Sequence, residues 1–174
     1  MDIKLFRKKD GGVIQLVDKE RMKEWPVELP LIFIEYIREK KLDLYEDATI
    51  KKDIESYLDE IMKDIAIPRL ISVLDSENDE EIIASLTRIL EVAKKNIEMV
   101  KPIQKYLVDL EKNNNKKVVE LSKLISETFV KAERRKELAR KRKIMRQKEK
   151  EFLDGKITAQ DYAKIRKDYL LLKE

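Results

Sequence analysis

A run of positively charged side chains between residues 131 and 150 carries the most distinctive chemistry in the sequence. The run holds eleven Lys or Arg residues and three Glu residues, a net charge of +8, whereas the whole chain carries +4. The rest of the chain therefore carries a net charge of −4. Guanidinium and ammonium groups bind phosphate and carboxylate oxygens, so the run is a candidate contact surface for a nucleic acid or an acidic protein. The predicted contact residues are Arg134, Arg135, Lys136, Arg140, Lys141, Arg142, Lys143, Arg146 and Lys148.

One long exposed helix is predicted to position these cations. Strong helix formers dominate the run, and no Gly or Pro interrupts it. Leu138, Met145 and Phe152 lie seven residues apart and form a narrow apolar stripe. An interfacial membrane helix has a broader apolar face, which makes a membrane surface the less favoured partner. Nucleic-acid binding, protein contact and a solvated helix that offsets the acidic remainder all stay open.

Side chains that could carry out catalysis are scarce. His and Cys are absent, which excludes imidazole bases, thiolate nucleophiles, disulfides and most transition-metal sites. The chain has three glycines and no glycine-rich loop that could hold a phosphate. Chemistry by carboxylates with Lys or Tyr is the least favoured function class. We therefore expect no enzyme activity, no cofactor, no metal site and no small-molecule substrate.

The acidic segment Asp75 to Asp79 has the alternating acids of a calcium-binding loop. Glu80 stands where such a loop requires glycine, and Leu86 stands where it requires a final acid. We interpret the segment as a turn between two helices, with Asp79 as the N-cap of the second.

Length and composition bound the architecture and the location. A chain of 174 residues predicts one domain, or one compact domain with an appendage. Charged residues make up 43% of the chain, and the high Lys and Glu content resembles that of hyperthermophile proteins. The longest apolar run, Leu31 to Ile34, is too short for a signal peptide or a membrane span. We expect a cytoplasmic location.

The first 48 residues predict a small β-hairpin and a short capping helix. Apolar residues flank the turn signal Asp10-Gly11-Gly12 on both sides, and a second apolar run follows Pro30. Two strands alone are marginally stable in water, so we expect the hairpin to pack on the helices rather than pair with another chain. From Thr49 to Ile65 apolar residues follow helical spacing, which predicts a further helix.

Two segments of the chain match when the sequence is offset by 36 residues. Each segment predicts two helices joined by a polar turn, and a helical pair needs a neighbour to bury its apolar face. The matched pairs are Ile67 with Ile103, Leu70 with Tyr106, Ile71 with Leu107, Leu74 with Leu110, Asp79 with Asn115, Ile82 with Val118, Ile83 with Val119, Ile89 with Ile125, and Ala93 with Phe129.

Residues 66–130 resemble a HEAT or armadillo repeat array. The resemblance implies an all-α fold of stacked antiparallel hairpins, with a core over 49–130 whose exposed helix faces contact proteins or nucleic-acid backbone. Pro68 and Pro102 lie 34 residues apart and depart from the 36-residue offset. A compact helical bundle with two similar hairpins is the alternative.

The segment from Phe152 to Tyr162, within residues 147–172, resembles the SHOCT short C-terminal module. Gly155 is predicted to end the basic helix in the left-handed conformation, and Thr158 with Asp161 to form a capping box at the next helix. The resemblance implies a helical appendage that mediates oligomerisation or attachment to another protein. Its predicted apolar contact residues are Phe152, Ile157, Tyr162, Ile165 and Tyr169.

These patterns predict three parts of the chain and two candidate functions. The parts are an N-terminal region (1–48), a helical-repeat core (49–130), and a basic helix with a hairpin (131–174). The favoured function is a non-enzymatic scaffold or adaptor that binds another protein or a second copy of itself. The alternative is non-specific binding of nucleic-acid backbone through residues 131–150.

Overall fold

In the residues that the structure describes, the regular secondary structure is helical apart from two short strands. The computed structural model describes residues 5–7, 13–15, 19–40 and 47–173, and each element of four or more residues there is a helix. This confirms the predicted all-α class. The chain divides into two compact units, Met1–Ile125 and Ser126–Glu174. Within the described ranges, no helix is both long enough and apolar enough to cross a membrane.

The N-terminal region contains two strands and two helices. Strands β1 (Leu5–Arg7) and β2 (Val13–Gln15) pair antiparallel, with Phe6 opposite Ile14. The predicted turn Asp10-Gly11-Gly12 lies outside the described residues. Helices α1 (Lys19–Met22) and α2 (Leu29–Lys40) follow.

Residues 48–75 form one uninterrupted helical stretch. Asp47 caps its start, because the carboxylate accepts a hydrogen bond from the Thr49 N–H at 2.7 Å. Pro68 has no N–H to donate, and a π-helical turn lies just before it. The helix predicted from Thr49 to Ile65 is present, and it continues to Asp75 without a loop. The stretch comprises α3 (Ala48–Ile61), the π-helical turn (Met62–Ala66), α4 (Ile67–Ser72) and a 3-10 turn (Val73–Asp75).

Side chains from this stretch hold the N-terminal helices in place. The Arg69 guanidinium donates hydrogen bonds to the Met22 carbonyl, at 2.9 Å, and to the Trp25 carbonyl. Met22 from α1 and Leu31 and Ile34 from α2 are completely buried or nearly so. The capping region therefore belongs to the core of the first unit.

The second half of the first unit continues with helices that asparagine residues cap. Asn78, Asn96 and Asn115 each accept a hydrogen bond from the backbone N–H two residues later. The prediction that Asp79 is the N-cap is wrong, because Asn78 occupies that position. The elements are α5 (Asp79–Lys95), a 3-10 helix (Ile97–Ile103), α6 (Gln104–Leu110) and α7 (Lys116–Leu153).

Residues 36 apart occupy similar environments in the first unit. Both members of the pairs Ile67 with Ile103 and Ile89 with Ile125 are buried. The Asn115 side-chain amide donates a hydrogen bond to the Asp79 carboxylate at 2.9 Å, which joins two matched positions directly.

One matched site exchanges polar and apolar residues between the segments. Ser85 and Leu86 match Leu121 and Ser122, and all four side chains are buried. Each serine satisfies its hydroxyl by donating to a backbone carbonyl at 2.8 Å, Ser85 to Leu70 and Ser122 to Val118.

The second unit is a helical hairpin built from the C-terminal part of α7 and from α8 (Ala159–Lys173). Gly155 has φ +72°, which confirms the predicted left-handed turn. The Thr158 hydroxyl donates to the Asp161 carboxylate at 2.6 Å, and the Asp161 N–H donates to the Thr158 hydroxyl oxygen at 3.2 Å. These bonds confirm the predicted capping box.

Replacement of Gly155 by alanine is expected to destabilise the hairpin through backbone conformation alone. A Cβ at this position meets no atom within 4 Å, so the cost is that of a left-handed L-residue, about 1–2 kcal/mol. Amide hydrogen exchange in α8 should accelerate correspondingly. Gly155→Asn is the matched control and should cost less, because asparagine tolerates this conformation better. Equal exchange rates in wild type and Gly155→Ala would contradict the prediction.

Candidate binding surfaces

An open groove in the first unit lies between the α4 segment and the 3-10 helix that leads into α6. Its volume is about 610 Å³. Pro68 and Pro102 lie on opposite walls, and both are exposed. The lining residues are Lys63, Ile67, Pro68, Ile71, Ser72, Asp75, Glu98, Met99, Pro102, Lys105 and Tyr106, and we call this feature the proline groove.

The proline groove has an apolar floor and a charged edge of balanced sign. Ile67 and Ile71 are buried, and Met99 and Tyr106 are half-buried. Its four charged residues are two lysines and two acids. The Lys105 ammonium lies 4.7 Å from the centre of the Tyr106 ring. A polyanion gains little from such an edge, whereas apolar side chains of a protein segment gain from the floor and walls.

Residues 131–150 form the basic arm of α7, and its cations fall into two groups. Lys131, Lys136 and Lys141 form ion pairs with glutamates three or four residues earlier, and Lys148 pairs with Glu151. A second group is exposed and makes no side-chain ion pair or hydrogen bond within the described part of the chain. These unpaired cations are Arg135, Arg140, Arg142, Lys143, Arg146 and Lys150.

The structure therefore distinguishes among the nine predicted contact residues. Lys136, Lys141 and Lys148 are occupied by neighbouring acids, and Arg134 is exposed. The remaining five predicted residues are all unpaired cations, and Lys150 is the sixth member of that group. An ion pair must be loosened before its lysine can bind a new anion, so the unpaired cations are the better phosphate ligands.

Two of the apolar residues predicted in the C-terminal hairpin, Phe152 and Tyr162, are in contact between α7 and α8. The Phe152 and Tyr162 rings stack with centroids 5.4 Å apart and planes 7° apart. The Tyr162 hydroxyl lies 3.5 Å from the Glu149 carboxylate. Ile157, Ile165 and Tyr169 are half-buried like these two, and we call these five residues the seam of the hairpin; none of the five is fully enclosed.

Two carboxylates in the second unit have lowered pKa values. Hydrogen bonds from the Thr158 hydroxyl and N–H hold the pKa of Asp161 below its ordinary value. The hydrogen bond from Lys148, followed by that from Gln147, lowers the pKa of Glu151 against the opposing effect of desolvation. Both carboxylates serve helix structure, since their partners lie on the same helix or at its cap.

Comparison with known protein families, with curated proteins and with solved structures finds no match to this chain. Among the described residues, no group of three or more acidic, His or Cys side chains could hold a metal ion. The proline groove, the basic arm and the C-terminal hairpin are the three candidate binding surfaces of the chain.

The sequence interpretation missed the proline groove. Pro68 and Pro102 were treated only as a departure from the 36-residue offset, although their recurrence in matched helices was the available signal. Met99 and Tyr106 gave no separate signal, because an apolar residue that lines a groove has the same spacing as one that fills the core.

Proposed function

We propose that the chain is a non-enzymatic protein-binding scaffold built on a short HEAT/armadillo-like array of two helical hairpins. The burial of matched residues 36 apart supports this arrangement, as does the hydrogen bond between Asn115 and Asp79. Stacked hairpins bury one face against each other and leave the other helix surfaces available for partners.

The proline groove is the observation that carries the binding proposal. Pro68 and Pro102 expose ring carbons and offer no backbone N–H, while Ile67 and Ile71 close the floor. Burying apolar side chains in such a groove is favourable at about 25 cal/mol per Å². The partner is therefore a protein segment that presents apolar side chains and little net charge.

The C-terminal hairpin is proposed as a second attachment site. Its seam is half-exposed, and apolar residues outside the seam, including Leu153 and Leu170, are also exposed. Covering this surface with another protein or with a second copy of the chain would bury apolar area that the hairpin leaves in water.

A charge placed in the proline groove should abolish partner capture. Ser72 is an exposed wall residue whose replacement by arginine fills the groove and leaves the buried floor intact. The measurement is the amount of partner protein captured from nuclease-treated lysate. We expect Ser72→Arg to capture about tenfold less of it than the wild-type chain, or less still.

Val108→Arg is the matched control for this experiment. Val108 is exposed on α6 and outside the groove, so the substitution adds the same cation to the same unit. This variant should capture as much protein as the wild type does. An equal loss of captured protein in both variants, or no loss in either, would contradict a role for the groove.

The basic arm supports a second candidate function, non-specific association with nucleic-acid backbone. The six unpaired cations, which have no partner among the residues that the structure describes, lie along one helix. Neutralised phosphates release their counterions, and this release gives affinity that depends steeply on salt and little on base sequence.

A further inference from the structure

A second groove lies within the C-terminal hairpin, where α8 passes the basic arm. Its volume is about 520 Å³ and its lining combines three cations, two small or aliphatic side chains and one aromatic ring. The lining residues are Leu138, Ala139, Arg142, Lys143, Arg146 and Tyr169, and we call this feature the tyrosine groove.

The cations of the tyrosine groove belong to the unpaired group of the arm. Arg142 and Arg146 are four residues apart and therefore lie on one helix face, about 6 Å apart along the axis. Lys141 and Lys148, which do not line the groove, are ion-paired with glutamates. Three of the six unpaired cations thus line the groove, and this local positive charge favours a polyanionic ligand.

Tyr169 adds a surface that phosphate binding alone does not require. The other aromatic pair of the hairpin is already used, since Phe152 stacks on Tyr162 and the Tyr162 hydroxyl reaches Glu149. Tyr169 makes no such ring contact or hydroxyl bond within the described residues, and its side chain is half-buried beside Arg142 and Arg146. The aromatic ring is thereby placed beside two unpaired guanidinium groups.

We propose that the tyrosine groove binds single-stranded nucleic acid, with a base stacked on Tyr169 and adjoining phosphates held by Arg142 and Arg146. This inference rests on the second candidate function, the phosphate-binding arm. A flexible strand can splay a base onto an aromatic ring, whereas a duplex keeps its bases stacked inside. An acidic protein segment satisfies the cations but gains no stacking from the ring.

The test is fluorescence anisotropy with the full chain, a labelled thymidine oligonucleotide and a labelled duplex of equal length. Tyr169→Leu keeps apolar bulk in the seam and removes the aromatic face. We expect it to weaken single-strand binding by about 5- to 100-fold and to change duplex binding less than twofold. Tyr169→Phe retains the stacking face and should bind the single strand like the wild type.

Further variants separate failure of this inference from failure of the second candidate function. Arg142→Gln with Arg146→Gln changes exposed residues only and should weaken both ligands, because both present phosphates. If these substitutions weaken binding but Tyr169→Leu changes the affinity for neither ligand, or changes both affinities equally, the stacking proposal is overturned and phosphate binding stands. If wild type binds neither ligand at 50 mM salt, both proposals fail. If polyglutamate of matched charge competes as well as unlabelled single strand does, the stacking proposal is also overturned, in favour of an acidic protein as the ligand.

Discussion

Leu86→Ala is expected to lower the free energy of unfolding of the first unit by about 2–5 kcal/mol. Leu86 is completely buried in α5, the helix that packs against α4, the 3-10 turn and the 3-10 helix that follows. Truncation removes apolar contacts and leaves a cavity that helices on several sides would have to close together. The loss is large because α5 packs both against the helical elements that precede it and against the 3-10 helix that follows it.

Urea unfolding followed by Trp25 fluorescence measures this loss in the relevant unit. Trp25 is the single tryptophan of the chain, and it packs edge-on against Phe33 at 5.8 Å in the first unit. Val108→Ala is the control, because Val108 is 62% exposed and its truncation should change stability by no more than about 0.5 kcal/mol. A loss of stability below about 1 kcal/mol for Leu86→Ala would contradict the expected contribution of α5 to the core of the first unit.

Raising the salt concentration from 50 to 200 mM is expected to weaken binding of the full chain to duplex DNA about 1,000-fold. The estimate assumes that the six unpaired cations of the basic arm each neutralise one phosphate, which gives a slope of about −5 in log affinity against log salt. Net charge alone does not predict this slope, since the whole chain carries +4.

Two triple variants that remove the same amount of positive charge distinguish binding at the basic arm from an effect of overall net charge. Arg135, Arg142 and Arg146, which are unpaired and lie on one helix face, are replaced by glutamine in the first variant. The control replaces Lys117, Lys131 and Lys136, which form ion pairs on the same helix. The first variant should reduce the magnitude of the slope by about 3, and the control by clearly less. Equal reductions would mean that only net charge matters, and no binding at 50 mM salt would end the nucleic-acid proposal.

Local signals in the sequence were sufficient for several features of the structure. Gly155, Thr158 and Asp161 act within one turn of chain, so their roles at the hairpin followed from residue type and spacing. Lys136 and Lys141 follow glutamates by three and four residues, a spacing that predicts their ion pairs, but Arg140 also follows Glu137 by three residues and is an unpaired cation.

Other features depend on contacts that sequence spacing does not encode. The π-helical turn before Pro68 keeps residues 48–75 helical, although proline has no N–H to donate within a helix. The proline groove forms only because α4 and the 3-10 helix at Ile97–Ile103 lie side by side. Asn78 rather than Asp79 caps α5, a one-residue difference between side chains that cap helices equally well.

Site-specific photo-crosslinking from position 72 tests the scaffold proposal most directly. A photoreactive residue there, in the full chain and in nuclease-treated lysate, samples the wall of the proline groove; the same residue at position 108 samples an exposed helix surface outside it. The scaffold proposal predicts a protein adduct from position 72, formed through an apolar segment of the partner, and little or none from position 108. Equal crosslinking of the same protein from both positions, or adducts at position 72 that contain nucleotides, would contradict it.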